Sequence, residues 1–417
     1  MGSYADIINK CKRSWNCSSL MDSAHKDRGE KLPFSSPLLN YSTYGGIPRG
    51  QITEFFGNPG GGKSSTAVDV CKNAKRIFDT EFENQTSSLR EKAANGNKAS
   101  ASELVELEDR GPKKVLYIDL EHSFDGAWAK KLGITDDDMD IMQPPDIVAE
   151  DLLQTVHELI ETGELGLVVL DSIPSLVTRQ ELEKKYGERT VSALAGLLTV
   201  FFRKIVPVLK RYDCTLLIIN QERDNMDNPY VAQTPGGRAL KFYCSLRIQF
   251  RIGSPVDFLG NELPSSAENP AGHIVTAKIV KQKSAPWDRK NASYYLMAQT
   301  GIEVEMDFAQ LAVKKYNIVH KAGAWFTCTV PGTGEILEDT DGKPVKLNGM
   351  SKVIDFLKLN PDYFKQIQDY ILADIAGEEY VPEDDEIALD EPESNIISNE
   401  SYVSVNSYGE GESFNGF

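Results

Sequence analysis

No stretch of this 417-residue chain approaches the roughly 18 consecutive apolar residues of a membrane span. The first residues, Met1-Gly2-Ser3-Tyr4-Ala5-Asp6, lack the basic-then-apolar layout of a secretion signal, and Asp6 spoils an acylation site at Gly2. The six cysteines (Cys11, Cys17, Cys71, Cys214, Cys244, Cys328) form no C-x-x-C pair, so neither a zinc site nor a disulfide framework is indicated. A reducing cytoplasm is the expected setting, and no membrane partner is expected. The five histidines are scattered without metal-ligand spacing and are read as structural. Net positive charge is lacking too: the formal charge is -17. That figure is unevenly spread, because Gly377 to Phe417 holds twelve acidic residues and no Lys or Arg, leaving -5 on the rest. Such a tail is expected to be disordered, either as a solubilising terminus or as a decoy competing with phosphate backbones for basic loops.

What is present divides into four expected parts. Residues 1–35 form an N-terminal arm, in which Ile7, Ile8, Cys11 and Trp15 share one face of a short helix; it docks on a neighbouring subunit or on its own domain. Residues 36–300 form an α/β core interrupted by a polar insertion at about 81–114, with room for a short helix. Residues 301–376 read as a small α+β domain, and 377–417 as the acidic tail.

The core opens with the most informative pattern in the chain. Gly57-Asn58-Pro59-Gly60-Gly61-Gly62-Lys63-Ser64 fits G-x-x-x-x-G-K-[ST], preceded by the strand-like Ile52 to Phe56 and followed by a helical stretch beginning Ser65-Thr66-Ala67. Glycines let such a loop bring its amides close to a chain of phosphates at a helix N-terminus. Lys63 then offers a point charge to the outer phosphates, and the Ser64 hydroxyl a ligand to Mg²⁺. The expected ligands are ATP and Mg²⁺.

Further on, Val115 to Glu121, Leu167 to Ser172 and Thr215 to Gln221 are continuous apolar runs ending in polar groups, alternating with helical patterns. They read as parallel strands buried on both faces, and ligands in such sheets bind beyond the strands' carboxyl ends. Asp171 is placed to hold Mg²⁺ directly or through water. Glu121 can orient or deprotonate the water that attacks the γ-phosphate. Gln221 can report that phosphate to the polar segment Glu222 to Pro235, a loop that a terminal phosphate would order.

These residues resemble the RecA-type homologous-recombination ATPases over about residues 40–330. The matching stretches are Gly45 to Gly50, Tyr117-Ile118-Asp119-Leu120-Glu121-His122, Leu170-Asp171-Ser172, Asn220-Gln221, Thr234 to Tyr243, Lys281 to Pro286 and Lys321 to Trp325. The resemblance implies an α/β fold with a RecA-type P-loop NTPase core, its mainly parallel sheet flanked by helices. It implies a filament on single-stranded DNA that pairs with homologous duplex DNA, with ATP held between subunits. Glu121 then looks like the family's catalytic glutamate and Gln221 like its γ-phosphate sensor. Asp125 and Trp128 fall where the family holds adenine, and Lys281 and Lys283 match lysines that reach phosphates across the subunit boundary. Ser65 completes the phosphate-binding set.

Two DNA-facing loops are implied at about 181–192 and 222–235. The DNA-binding candidates are Arg189, Arg203, Arg223, Met226, Tyr230, Gly236, Gly237, Arg238 and Lys241. Single-strand-binding and loader proteins are implied as further partners, and the small C-terminal domain as a contact for incoming duplex. Departures from the pattern include Gly196 in place of an arginine, and Asp224 and Asp227 where basic residues are usual. They mark a divergent member, and a bacteriophage origin is one way to account for them. A hexameric motor on the same core and a non-hydrolysing filament or loader protein are the alternatives; intact Glu121 and Lys63 speak against the latter.

Overall fold

The computed structural model describes residues 30–185, 193–223 and 234–380. Most of the N-terminal arm and of the acidic tail, with Arg189, Met226 and Tyr230, lie outside the described residues.

A short antiparallel pair, β1 (Lys31–Leu32) and β2 (Ile47–Pro48), encloses α1 (Pro37–Thr43). Ser36 caps α1 by accepting the Leu39 N–H, with Pro37 at the first helical position. Then follow β3 (Ile52–Gly57), α2 (Lys63–Ala94), α3 (Lys98–Arg110), β4 (Lys114–Asp119) and α4 (Gly126–Lys131). β5 (Asp140–Met142), α5 (Ala149–Glu161), β6 (Leu165–Asp171), α6 (Arg179–Leu182), α7 (Ala193–Tyr212) and β7 (Thr215–Gln221) continue the alternation. After α8 (Gly237–Tyr243) the chain turns to strands: β8 (Leu246–Val256), β9 (Gly272–Gln282), β10 (Asn291–Met297) and β11 (Gly301–Ile302).

These strands make one nine-stranded sheet in the order β11-β10-β9-β8-β3-β7-β6-β4-β5. From β8 to β5 every pairing is parallel; β8, β9, β10 and β11 pair antiparallel. The uninterrupted apolar runs follow from burial on both faces. Val169, Leu217 and Ile219 join Val70 and Phe78 of α2 on one face, whereas Val168, Leu216 and Ile218 join Leu152 of α5 and Phe202 and Ile205 of α7 on the other.

The insertion differs from its polar-stretch reading. α2 does not stop near Glu81 but runs on to Ala94, and α3 returns beside it as a helical hairpin. From Lys63 to Ala94 there is no Gly or Pro to stop the helix. Gly96, at φ 89°, makes the turn, and Asn97 caps α3 by accepting the Ser100 N–H. Buried Leu107 and an Arg90–Glu108 ion pair hold the two helices together. Near its middle α2 is anchored where Phe78 fills the space left by Gly166, and Arg49 joins Glu81 to Asp213.

A third apolar cluster follows the sheet. It gathers α9 (Val304–Lys314), the antiparallel sheet of β12 (Val319–Ala322), β13 (Trp325–Cys328) and β14 (Lys346–Asn348), and then α10 (Met350–Leu359) and α11 (Pro361–Ala376). Cys71, Cys214, Cys244 and Cys328 are buried and free, and no described helix is long and apolar enough to cross a membrane.

Candidate nucleotide site

β3 delivers the chain to a loop that only glycine permits. Gly57 has φ 147°, and a Cβ there would meet the Phe250 carbonyl oxygen at 2.1 Å. Gly62, at φ 83°, is the N-cap of α2 and offers no capping side chain, so the first amides of this long helix are left for a ligand. Asn58, Pro59 and Gly60 are exposed; Gly61 bonds back to the Asn58 carbonyl at 3.3 Å. The Lys63 amine donates to that same carbonyl at 2.8 Å, curled over the loop where phosphates would sit. Burial lowers the Lys63 pKa, opposed by Asp171, Glu121 and Glu222.

Two carboxylates face this loop from neighbouring strands. Ser64 Oγ donates to Asp171 Oδ2 at 2.8 Å, at the end of β6. Burial raises the Asp171 pKa, while the hydroxyls of Tyr117 and Ser64 hold it down. Oxygen donors on a hydroxyl and a carboxylate suit Mg²⁺ bound with its own waters, and the loop amides with Lys63 suit phosphates, so the residues present fit ATP and Mg²⁺.

Glu121 lies two residues past β4. Its Oε1 accepts the Ser172 hydroxyl and, at 2.9 Å, Gln221 Nε2. Asp119 fixes the turn between them, accepting Glu121 N–H at 3.1 Å, Phe124 N–H at 2.9 Å and Gln143 Nε2 at 2.8 Å. Asp125 caps α4 through Oδ1, accepting the Ala127 and Trp128 N–H groups, and the Trp128 indole donates to Ser65 Oγ at 3.0 Å. Asp125, Trp128, Ser65 and Asp171 thus line one cleft beside the loop.

Other expected residues stand apart. Lys281 pairs in the sheet with Arg247, which is level with Glu54, three residues short of Gly57 and so roughly 10 Å back along the strand. The Lys281 amine donates to the Lys241 and Phe242 carbonyls at 2.6 and 2.9 Å, and Lys283 to Phe242 at 3.0 Å, at the end of α8. Both lysines therefore sit back along the strands, toward the end of the sheet away from the loop of their own chain.

Arg203 and Arg223 are exposed, Arg238 is exposed on α8, and Lys241 is half-buried. Gly236 packs against Leu198 and Ile173, and Gly237 against Ala195, so α8 begins on the first turns of α7. Next to Gln221, Asn220 Nδ2 donates to Glu54 Oε1 at 2.9 Å and to the Pro235 carbonyl at 3.0 Å. Glu54 is also paired with Arg247, both deep in the sheet. Sequence reading gave Tyr117 no role of its own, because a tyrosine in an apolar strand reads as core; its hydroxyl donates to Asp171 Oδ2 at 2.6 Å. Ser172 and Asp119 fell within the matching stretches but were likewise given no role at the site.

Strand, phosphate loop, uncapped helix and acid-ended neighbouring strands define a P-loop nucleotide-binding α/β protein. Residues 92–303 match the family described as the RecA N-terminal domain. That span starts near the end of α2, so the phosphate loop lies outside it and stands on its own sequence and geometry. The chain is 32% identical to Protein RecA of Clostridium perfringens over 287 residues, covering 68% of each chain. It is 30% identical to Protein RecA of Thermus aquaticus over 331 residues, covering 79% of this chain and 80% of the other. For Protein RecA of Rhodopirellula baltica the figures are 31% over 331 residues, 79% and 72%. The chain belongs to the RecA family, whose members are ATPases of DNA recombination and repair.

Proposed function

We propose that this protein is a recombinase: a single-stranded-DNA-dependent ATPase that forms a helical filament on that strand and exchanges it with homologous duplex DNA. The observation that carries the reading is the junction of Glu121 and Gln221 beside the phosphate loop, with Asn220 tied to Pro235 at the exit of the second loop. A carboxylate suited to activating water touches a side-chain amide suited to sensing a terminal phosphate. The residue before that amide, Asn220, bonds the end of the segment expected to meet DNA.

In this reading the loop from Gly57 to Ser65 wraps the phosphates, its backbone N–H groups (Pro59 has none) and the Lys63 amine holding them, and Asp125 and Trp128 hold the adenine. Ser64 and Asp171 hold Mg²⁺, which neutralises charge building on the phosphates. Glu121 orients the attacking water and takes its proton. A terminal phosphate draws the Gln221 amide away from Glu121, and Asn220 carries the movement to Pro235. Lys281 and Lys283 serve the phosphates of an adjoining copy, which their distance from the loop of their own chain suits. Arg203, Arg223, Arg238 and Lys241, with Arg189, Met226, Tyr230, Gly236 and Gly237, meet the DNA backbone and bases without reading sequence, because strand pairing supplies the specificity. The setting is cytoplasmic, with single-strand-binding and loader proteins as further partners.

The test is phosphate release with and without single-stranded DNA. Wild type is expected to be stimulated by DNA, and Lys63→Ala to lose that stimulation. Equal release by both proteins would overturn the site assignment. Strand exchange between a circular single strand and a linear duplex is expected; unwinding of a forked duplex without exchange would make the protein a motor instead.

A further inference from the structure

We infer that Tyr117 is a positioning residue of the magnesium site, its hydroxyl setting the orientation of the Asp171 carboxylate. This rests on the ATP reading above and adds to it a side chain that lies outside the loop, the acids and the sensor.

Tyr117 lies in β4, paired in register with Val169, two residues before Asp171 on the adjacent β6. Its ring extends toward the strand ends, packing edge-on against Phe124 with centroids 5.3 Å apart. The hydroxyl donates to Asp171 Oδ2 at 2.6 Å, the same oxygen that accepts the Ser64 hydroxyl at 2.8 Å. Two donors on one oxygen fix the rotation of the carboxylate and leave the other oxygen for a metal-bound water. Tyr117 is 1% exposed and Asp171 5% exposed, so solvent is a poor substitute for the bond between them. A buried carboxylate without donors is unfavourable, and it turns toward whatever donor it finds. The nearby amine of Lys63 is one such donor, already drawn by the charge of Asp171. A neutral donor has a further merit: it steadies the acid without repelling the cation, as a lysine or arginine in its place would.

The arrangement also explains why a tyrosine fits in an otherwise apolar strand. Its neighbours Leu116 and Ile118 face the α5–α7 layer, while Tyr117 faces the α2 side, toward Ser64. Phenylalanine would fill the same space and pack on the same ring, but would leave Oδ2 with Ser64 alone.

Tyr117→Phe in the full chain tests this. Binding of a fluorescent, slowly hydrolysed ATP analogue is measured in EDTA and across a MgCl₂ titration, and Mn²⁺ uptake by the nucleotide complex is followed by electron paramagnetic resonance. Binding in EDTA and the unfolding midpoint are expected to match wild type. The Mg²⁺ needed for half-maximal binding is expected to rise at least about tenfold, the lower end for one hydrogen bond to a charged group, with Mn²⁺ uptake weakened in parallel. Phe124→Leu, which disturbs the ring but keeps the hydroxyl, is expected to retain the wild-type Mg²⁺ requirement. An unchanged Mg²⁺ requirement in Tyr117→Phe would overturn the proposal. So would an equal loss of binding in EDTA, or the same shift in Phe124→Leu, either of which makes Tyr117 a packing residue. If wild type itself shows no Mg²⁺-dependent binding, the ATP reading fails first and this one with it.

Discussion

Asp307 shows how far a single buried acid can bend the behaviour of its neighbours. It is fully buried in the first turn of α9, where its Oδ2 takes the hydroxyl of Ser36, the residue that caps α1. Burial pushes its pKa well above the ordinary aspartate value, so the folded protein holds its proton to higher pH than the unfolded chain, which releases it near pH 3.8. Stability from this group is fully present below about pH 3.8 and is lost as pH rises toward the raised folded value. Asp307→Asn removes the titration while keeping shape and the contact with Ser36. Melting temperatures measured from about pH 4 upward are expected to fall more steeply in wild type than in the variant; parallel curves would refute this. Nothing in the sequence marked Asp307, which sits among helix formers like any surface acid. Lys63, Ser64 and Asp171, by contrast, were legible because the phosphate-loop pattern and a strand-ending acid fix chemistry by spacing. The Tyr117 hydroxyl was not, since its meaning depends on which side chain the fold sets opposite it.

Among the elements, β3 and β8 carry a charged pair in an otherwise apolar sheet. Glu54 is fully buried and bound by Arg247 and Asn220, and the Arg247 guanidinium lies 4.6 Å from the centre of the Phe56 ring. Arg247→Ala strands an uncompensated carboxylate in the sheet and is expected to destabilise the protein by about 3–5 kcal/mol, read from urea unfolding. A loss under about 1 kcal/mol would mean that solvent reaches Glu54. The alternation of apolar strands with helical patterns gave away the parallel part of the sheet, because burial on both faces leaves a mark in composition. The α2–α3 hairpin left no such mark. Its residues are polar on nearly every side, and only the lack of Gly and Pro before Gly96 hinted that the helix would carry on. Glu54 and Arg247 were equally silent, since pairing between strands far apart in the chain is not written in local pattern.

For the molecule as a whole, charge is concentrated at one end of the chain. A protein ending at Tyr380 loses ten of its acidic residues. In low salt it is expected to associate with single-stranded oligonucleotides several-fold faster than the full chain, the gap closing above about 0.5 M salt as screening shortens to a few ångströms. Identical association rates at low salt would show that the tail does not compete with DNA. The distance between these lysines and the phosphate loop of the same chain has a numerical consequence. If Lys281 and Lys283 complete the site of an adjoining copy, a row of n copies contains n − 1 finished sites, because one terminal loop always lacks a donor. Output per copy then climbs with row length, and the shortest assemblies are the idlest.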